Sequence, residues 1–163
     1  DARAVTTPEG FRALLAPIID QLRGRALDDA LLAALEASFG EQSEAFRALS
    51  RACHEGTRAG WMCEHERGGI RYGRVIEASE ASAGFSVDVV QMKDVKGPYH
   101  LHPKGEIDLV MPVTAGARFD GHGAGWVVYG PRSAHYPTVT EGEAFVLYLL
   151  PDGAIDFRAK PPE

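Results

Sequence analysis

The chain has 163 residues, of which 45% are apolar and 25% charged, and its formal net charge is -6. This size fits one domain with a proper core, and the scattered basic residues exclude the clustered positive surface that nucleic acids or anionic membranes require. No apolar run approaches the roughly 20 residues needed to cross a bilayer. The first residues lack a charged-then-apolar leader, so we expect a cytoplasmic protein with no nucleic-acid or membrane partner.

The first third of the chain has a helical period. Thr6 and Thr7 precede Pro8, which is the pattern of an N-cap followed by proline in the first turn. A glycine follows each run of helical spacing, as is typical of helix ends. We predict about three helices in an N-terminal region, residues 1–58, that packs on the rest of the chain because short helices need support. The three runs are residues 8–22, 28–39 and 41–54.

From residue 59 onward, glycines separate short runs rich in Val, Ile, Phe and Tyr. Short strands at regular spacing with turn residues between them are typical of an antiparallel sandwich or barrel. The sequence therefore predicts a mainly β fold with α: an antiparallel β-barrel over residues 59–163, preceded by the helical region. The predicted strand runs are residues 70–76, 85–92, 106–112, 125–129 and 144–150.

Two cysteines, Cys53 and Cys63, are too few for a disulfide framework. Their spacing of ten fits no zinc motif, and they fall at a predicted helix end and a predicted strand start. We expect both to be free, buried thiols in a reducing compartment.

The stretch GPYHLHPKGEIDLV places two histidines and a glutamate in an otherwise apolar strand pattern. Alternate side chains of a strand share a face, so His100 and His102 point the same way. A turn over residues 103–105 can return Glu106 to that face. Burial of a carboxylate needs compensation, and two imidazoles with one carboxylate are a ligand set for a first-row transition metal. We therefore predict one divalent transition metal ion at this position.

A fourth ligand is offered by the stretch YGPRSAHYPTV, in which a Gly-Pro turn precedes His135 at the start of an extended segment. The HxH-x3-E pattern followed by GPxxxH resembles the two motifs of the cupin superfamily. The resemblance implies a cupin or jelly-roll barrel and four metal ligands: His100, His102, Glu106 and His135.

This sequence departs from the cupin pattern twice, since the glycine after Glu106 comes late, at Gly116, and the asparagine that often follows the second-motif histidine is absent. Neither departure removes a ligand. The ligand set suits Fe, Mn, Ni, Co or Zn and does not choose among them. The alternative is a metal-free cupin whose histidines are satisfied by hydrogen bonds.

Three side chains are candidates for proton transfer. Asp108 shares the face of Glu106 and is either a carboxylate that orients a ligand or a general base. Tyr99, beside His100, and Tyr148, in the last long strand, are the other candidates, although tyrosines in strands are commonest as packing residues.

Arginines and tryptophans are candidates for substrate binding. Arginine binds carboxylates by paired hydrogen bonds, and the main candidates to bind a substrate carboxylate are Arg71 and Arg132. Arg74 lies on the opposite strand face from Arg71, so at most one of the two should point inward. Trp126 is a candidate wall for an aromatic pocket. Surface exposure for the arginines and core packing for the tryptophan are the ordinary alternatives.

The order of parts resembles a narrower family. The helical third is followed by WMCEHERGGIRYGRV, GPYHLHPKGEIDLVMP, GWVVYGPRSAHYPTV and FVLYLLPDGAIDF, an arrangement similar to bacterial 4-hydroxylaminobenzoate lyases over most of the chain. The resemblance implies conversion of 4-hydroxylaminobenzoate and water to protocatechuate (3,4-dihydroxybenzoate) and ammonia in 4-nitrobenzoate degradation. This reaction is redox-neutral overall, so the resemblance implies no NAD, flavin or haem. Our hypothesis is that the metal binds the hydroxylamino oxygen as a Lewis acid. The absence of a dinucleotide fingerprint agrees.

Other activities fit the same predicted site. A helical region before a barrel also resembles bacterial dimethylsulfoniopropionate lyases, and an iron-dependent ring-cleaving dioxygenase is a further option. A non-catalytic cupin that binds a small carboxylate is the alternative from another class, although the chain lacks the DNA-binding partner domain typical of such sensors. We expect a small aromatic carboxylate as substrate and a homodimer or higher homo-oligomer, because edge strands of cupin barrels commonly pair.

Overall fold

The computed structural model describes residues 7–163 and begins with three helices: α1 Pro8–Leu22, α2 Asp29–Phe39 and α3 Glu44–Ala59. The first turn of each helix is capped by a preceding side chain that accepts a backbone N–H bond. Thr7 caps α1 as the sequence predicts, whereas Thr6 lies outside the described residues. None of the described helices is long and apolar enough to cross a membrane.

Nine strands of 2 to 14 residues follow in the described part of the chain. They are β1 His65–Arg67, β2 Ile70–Ile76, β3 Phe85–Lys96, β4 His100–His102, β5 Glu106–Pro112, β6 Arg118–Phe119, β7 Gly125–Tyr129, β8 Ser133–His135 and β9 Thr138–Pro151. The runs predicted at residues 70–76, 106–112 and 125–129 coincide with β2, β5 and β7. Strands β3 and β9 extend beyond their predicted runs, and His135 ends β8 rather than starting an extended segment.

All strand pairs are antiparallel and form two sheets. The seven-stranded sheet has the order β1-β2-β3-β9-β5-β7, with β6 paired to β9, and β4 pairs with β8 in a second sheet. The prediction of a mainly β fold behind about three helices is confirmed. The prediction of a closed barrel is wrong in one respect: hydrogen bonding is not continuous between the two sheets in residues 7–163. Strands β4 and β8 have three residues each and pair only along those positions.

Alternation along the strands gives the large sheet two apolar faces. The outer face packs against the helices and includes Val87, Val89, Ile107, Leu109 and Leu147, together with Leu15, Leu35 and Leu49 from the helices. Cys53 and Cys63 are free and buried in this same core, as expected. The inner face carries Val90, Val110, Val127 and Val146, with Phe119 packed among them. Because the helices cover only the outer face, the inner face is available for a polar site.

Candidate metal centre and active site

Four side chains converge at the inner face. Pairing of β4 with β8 sets His100 opposite His135, and His102 lies two residues further along the His100 face. Glu106, the first residue of β5, completes the group, and one ligating atom from each of the four lies within 4.8 Å of the others. The structure therefore brings together the four residues that the two sequence motifs single out.

A tight turn at Gly105 delivers Glu106 to this group. The Gly105 N–H donates to the His102 carbonyl at 3.2 Å, and the Gly105 backbone is left-handed with φ 91°. A Cβ at this position would lie 2.6 Å from the Tyr129 carbonyl oxygen and 2.8 Å from a methyl carbon of Leu27. Only glycine fits, so this residue fixes where the carboxylate ligand begins.

The hydrogen bonds behind the three imidazoles determine where their protons lie. The Nδ1 atom of His100 is 3.3 Å from the Pro98 carbonyl oxygen, which only accepts, and the Nδ1 atom of His135 is 2.5 Å from an Asp120 carboxylate oxygen. The Nδ1 atom of His102 is 3.0 Å from the Ser133 hydroxyl.

The Ser133 hydroxyl donates its own proton to the Gly130 carbonyl, so it accepts the hydrogen bond from the His102 Nδ1–H. Each imidazole thus carries its proton on Nδ1 and turns an Nε2 lone pair toward the group.

The four inward atoms are consequently all electron-pair donors. The Nε2 atom of His102 lies 3.1 Å from one Glu106 carboxylate oxygen, and the Nε2 atoms of His135 and His100 are 3.1 Å apart. Both Glu106 oxygens and the His102 Nε2 atom are buried and form no hydrogen bond within residues 7–163. Lone pairs held this close in a buried site repel one another, and a cation between them would compensate this repulsion. The residues therefore fit a divalent transition metal, which favours three imidazoles with one carboxylate.

Two partners of the ligands were not found by the sequence reasoning. Asp120 accepts from His135, from the Tyr129 hydroxyl at 2.7 Å and from the Thr138 N–H at 2.9 Å. Burial opposes ionisation of Asp120, but the bonds from His135 and Tyr129 hold the pKa of this carboxyl below its ordinary value. Ser133 is the other partner. Its place two residues before His135 was the available signal, since alternate residues of β8 share a face.

Asp108 and Tyr148 lie in one row across the inner face. They are direct cross-strand neighbours, with Asp88 opposite Tyr148 on the other side. Asp108 is fully buried, and neither of its carboxylate oxygens has a hydrogen-bond partner in the described residues. Burial and the charge of Glu106 raise the pKa of Asp108 well above its ordinary value. The two candidate proton carriers therefore stand beside the ligand group.

Other predicted site residues lie elsewhere. The Tyr99 ring packs 5.0 Å from the Tyr136 ring. Because Tyr99 immediately precedes His100, alternation turns its side chain away from the ligand face. The Arg132 N–H donates to the His102 carbonyl at 2.7 Å, and its side chain is exposed beside the small sheet.

The structure does not bring Arg71 and Trp126 to the site. Arg71 pairs with Gln91, which shares the outer strand face with Val89, and the inward arginine of β2 is Arg74, paired with Asp88. The Trp126 ring lies in the helix-facing core, and its Nε1–H donates to a backbone carbonyl of α2 at 3.0 Å.

His135 is the most exposed of the four candidate ligands. Its side chain is 13% exposed, whereas those of His100, His102 and Glu106 are at most 2% exposed. Two surface cavities of about 400 and 480 Å³ lie elsewhere, and none of the four ligand residues lines them.

The fold and the site together define a cupin with a candidate His3Glu metal centre. Within that class, the chain belongs to the 4-hydroxylaminobenzoate lyase family, because the family model PnbB: 4-hydroxylaminobenzoate lyase matches residues 13–157. A 4-hydroxylaminobenzoate lyase from Nocardioides sp. (strain LMS-CY) is 33% identical over 97% of this chain and 99% of its own. One from Pseudomonas putida is 32% identical over 77% of this chain and 82% of its own.

Solved structures show weaker similarity. The DMSP lyase DddQ from Ruegeria pomeroyi DSS-3 is 20% identical, covers 96% of this chain and 100% of its own, and has a TM-score of 0.41. An RmlC-like cupin protein from Ralstonia eutropha JMP134 is 12% identical, covers 52% of this chain and 57% of its own, and has a TM-score of 0.40.

Proposed function

We propose that this protein is a metal-dependent, ammonia-releasing lyase that converts 4-hydroxylaminobenzoate and water into protocatechuate and ammonia during 4-nitrobenzoate degradation. The observation that carries the proposal is the buried group of three imidazole lone pairs and one carboxylate. Two relatives named 4-hydroxylaminobenzoate lyase, at 33% and 32% identity, support the substrate class.

The proposed reaction balances without an external oxidant or reductant. The N–O bond, the C–N bond and one ring C–H bond break, and two ring C–O bonds form. The nitrogen is reduced to ammonia as the ring is oxidised, and the displaced ring proton and the protons of water are shared between ammonia and the two ring hydroxyls. The substrate hydroxyl and one water account for both new ring oxygens. No nicotinamide, flavin or haem is therefore needed for the overall conversion.

His100, His102, Glu106 and His135 would hold one divalent ion, which supplies Lewis acidity toward an oxygen of the substrate when bound. Asp108 is the proposed proton carrier, because its unbonded carboxyl group lies on the inner face beside Glu106. Tyr148, its cross-strand neighbour, is the second proton-carrying group. Arg132 is the proposed partner of the substrate carboxylate, since its exposed side chain begins beside the His102 carbonyl.

The test combines elemental analysis of the purified protein with measurement of ammonia and protocatechuate formed from 4-hydroxylaminobenzoate. We expect about one transition metal ion per chain and loss of turnover on chelation, restored by the same metal. A metal-loaded protein that releases no ammonia would contradict the proposed substrate. Oxygen consumption or dimethyl sulfide release from the corresponding substrates would instead identify a dioxygenase or the other lyase class.

One matched pair of variants tests the ligand assignment. His135→Ala should lose metal and lower turnover by about 100-fold or more, because one of the donors is removed. His122→Ala is the control, since His122 is exposed in a loop and lies outside the ligand group. Equal metal content in the two variants would contradict a ligand role for His135.

A further inference from the structure

The C-terminal segment that follows β9, residues 152–163, places an exposed aromatic ring beside the ligand group. Leu101 and Asp156 exchange two backbone hydrogen bonds, both 2.9 Å long, so the segment pairs with the free edge of β4. In this antiparallel register Phe157 comes opposite His100. The two rings are in contact, with centroids 5.3 Å apart and planes at 63°.

The position of Phe157 is fixed by its neighbours. Ile155, two residues earlier, packs against the inner-face core, and alternate residues of an extended segment share a face. The Ala154 N–H also donates to the Pro151 carbonyl at 3.0 Å, which closes the turn after β9. The backbone hydrogen bonds of Asp156 and the packed side chain of Ile155 therefore hold Phe157 on the ligand side of β4.

The Phe157 ring is nevertheless 58% exposed, the highest exposure among the large apolar side chains that are exposed in the described residues. Its partner His100 is only 1% exposed. One edge of Phe157 thus covers His100, and the rest presents an apolar surface along the edge of β4 opposite β8. Burying aromatic surface against a second ring is favourable, and offset or edge contacts add to it.

We propose that Phe157 is a specificity-determining residue that packs against the aromatic ring of the substrate beside His100. This inference rests on the proposed function for the identity of the substrate. It adds a contact that selects a flat aromatic ring over a saturated ring of similar size. The structure offers Phe157 for this role in place of Trp126, which lies in the helix-facing core.

The test compares Phe157→Ala, Phe157→Trp and Tyr136→Ala in the metal-loaded protein. Tyr136 is a matched control because it is 38% exposed and follows His135, but it packs on Tyr99 away from the ligand face. With 4-hydroxylaminobenzoate, Phe157→Ala should raise KM about 3- to 10-fold while kcat stays within about twofold. Phe157→Trp should restore the wild-type KM, and Tyr136→Ala should leave it unchanged.

Calorimetric binding of two unreactive probes separates this inference from the proposed reaction. Phe157→Ala should weaken 4-aminobenzoate about 3- to 10-fold and leave the saturated analogue 4-aminocyclohexanecarboxylate unaffected. That result in a protein without turnover would retain Phe157 as an aromatic-binding residue and reject the proposed reaction. Unchanged 4-aminobenzoate binding, or equal weakening of both probes, would overturn the role of Phe157. So would loss of metal from Phe157→Ala.

Discussion

Asp120 controls the orientation of His135 although it is not itself a ligand. Its carboxylate accepts hydrogen bonds from the His135 Nδ1–H, from the Tyr129 hydroxyl and from the Thr138 backbone N–H. Three donors around one carboxylate leave it a single orientation, and this orientation aims the His135 Nε2 lone pair at the other ligands. Carboxylates in this position also fix the tautomer of the imidazole.

Replacing Asp120 with asparagine should weaken metal binding about 10- to 100-fold, because one amide oxygen cannot serve all three donors. Competition with a chromophoric chelator measures the affinity. Asp94→Asn is the matched control, since Asp94 is also a left-handed residue whose carboxylate accepts a backbone N–H, but at an exposed irregularity of β3. Equal affinities in the two variants would refute the positioning role.

We expect substitution of Asp108 to lower turnover without changing metal binding. Asp108→Asn should lower kcat by about 100- to 10,000-fold while metal content stays at the wild-type level, because the shape is kept and the proton carrier is lost. Single-turnover ammonia release with parallel metal analysis measures both. Asp88→Asn, in the same row but paired with Arg74, should change kcat only slightly. A similar kcat in the two variants would exclude Asp108 as the proton carrier.

At this scale, the grouping of the four candidate ligands was predictable and their hydrogen-bond partners were not. His100, His102 and Glu106 follow from alternation and one turn, which are local rules. Asp120 lies 15 residues before His135, in a loop whose return path depends on the pairing of β6 with β9. Arg71 and Trp126 illustrate a different limit. Alternation predicts which residues share a face but not which face the helices cover.

At the scale of elements, the helices stabilise the outer face of the large sheet. Leu35 of α2 is fully buried there, and Glu36 accepts the Trp126 N–H of β7 at 2.5 Å. The helices were predictable from periodicity and caps, and β2, β5 and β7 from runs of five to seven residues. Strands β1, β4, β6 and β8 have two or three residues, too few to show a period, and only their partners define them.

Leu35→Ala should lower the free energy of unfolding by about 2–5 kcal/mol, because it leaves a cavity between α2 and the sheet. Urea denaturation measures the change, and the folded fraction should keep its metal because the ligands occupy the opposite face. Val113→Ala removes methyl groups at a site that is 39% exposed and should change stability by less than about 1 kcal/mol. Metal loss from folded Leu35→Ala would show that the two faces are coupled.

At the scale of the whole molecule, the ligand group joins the two sheets. The three nitrogen donors come from β4 and β8 of the small sheet, and the oxygen donor comes from β5 of the large one. A bound ion would therefore hold together two sheets that no continuous hydrogen bonding connects in the described residues. The sequence predicted the ligands but not this division, because closure of a barrel depends on strand pairing distant in the chain.

Removing the metal should lower Tm by roughly 5–10 °C when the ion is supplied at about 100 times its Kd. Amide hydrogen exchange should accelerate in β4 and β8 and change little at the central pair β3 and β9, which shares a long register. Calorimetry and exchange mass spectrometry measure the two effects. Uniform acceleration over all strands would mean that the ion stabilises the fold globally rather than at the joint between the sheets.

The contact of Leu27 with the Gly105 turn has a consequence for how this protein can be divided or rebuilt. Leu27 lies between α1 and α2, yet its side chain fills the space beside the turn that positions Glu106. A fragment containing only the strands would keep all four donors in its sequence. It would lose the Leu27 side chain that packs beside the turn before Glu106. We expect that grafting the two histidine motifs onto another barrel would fail for the same reason, unless the α1–α2 connection that carries Leu27 were transferred with them.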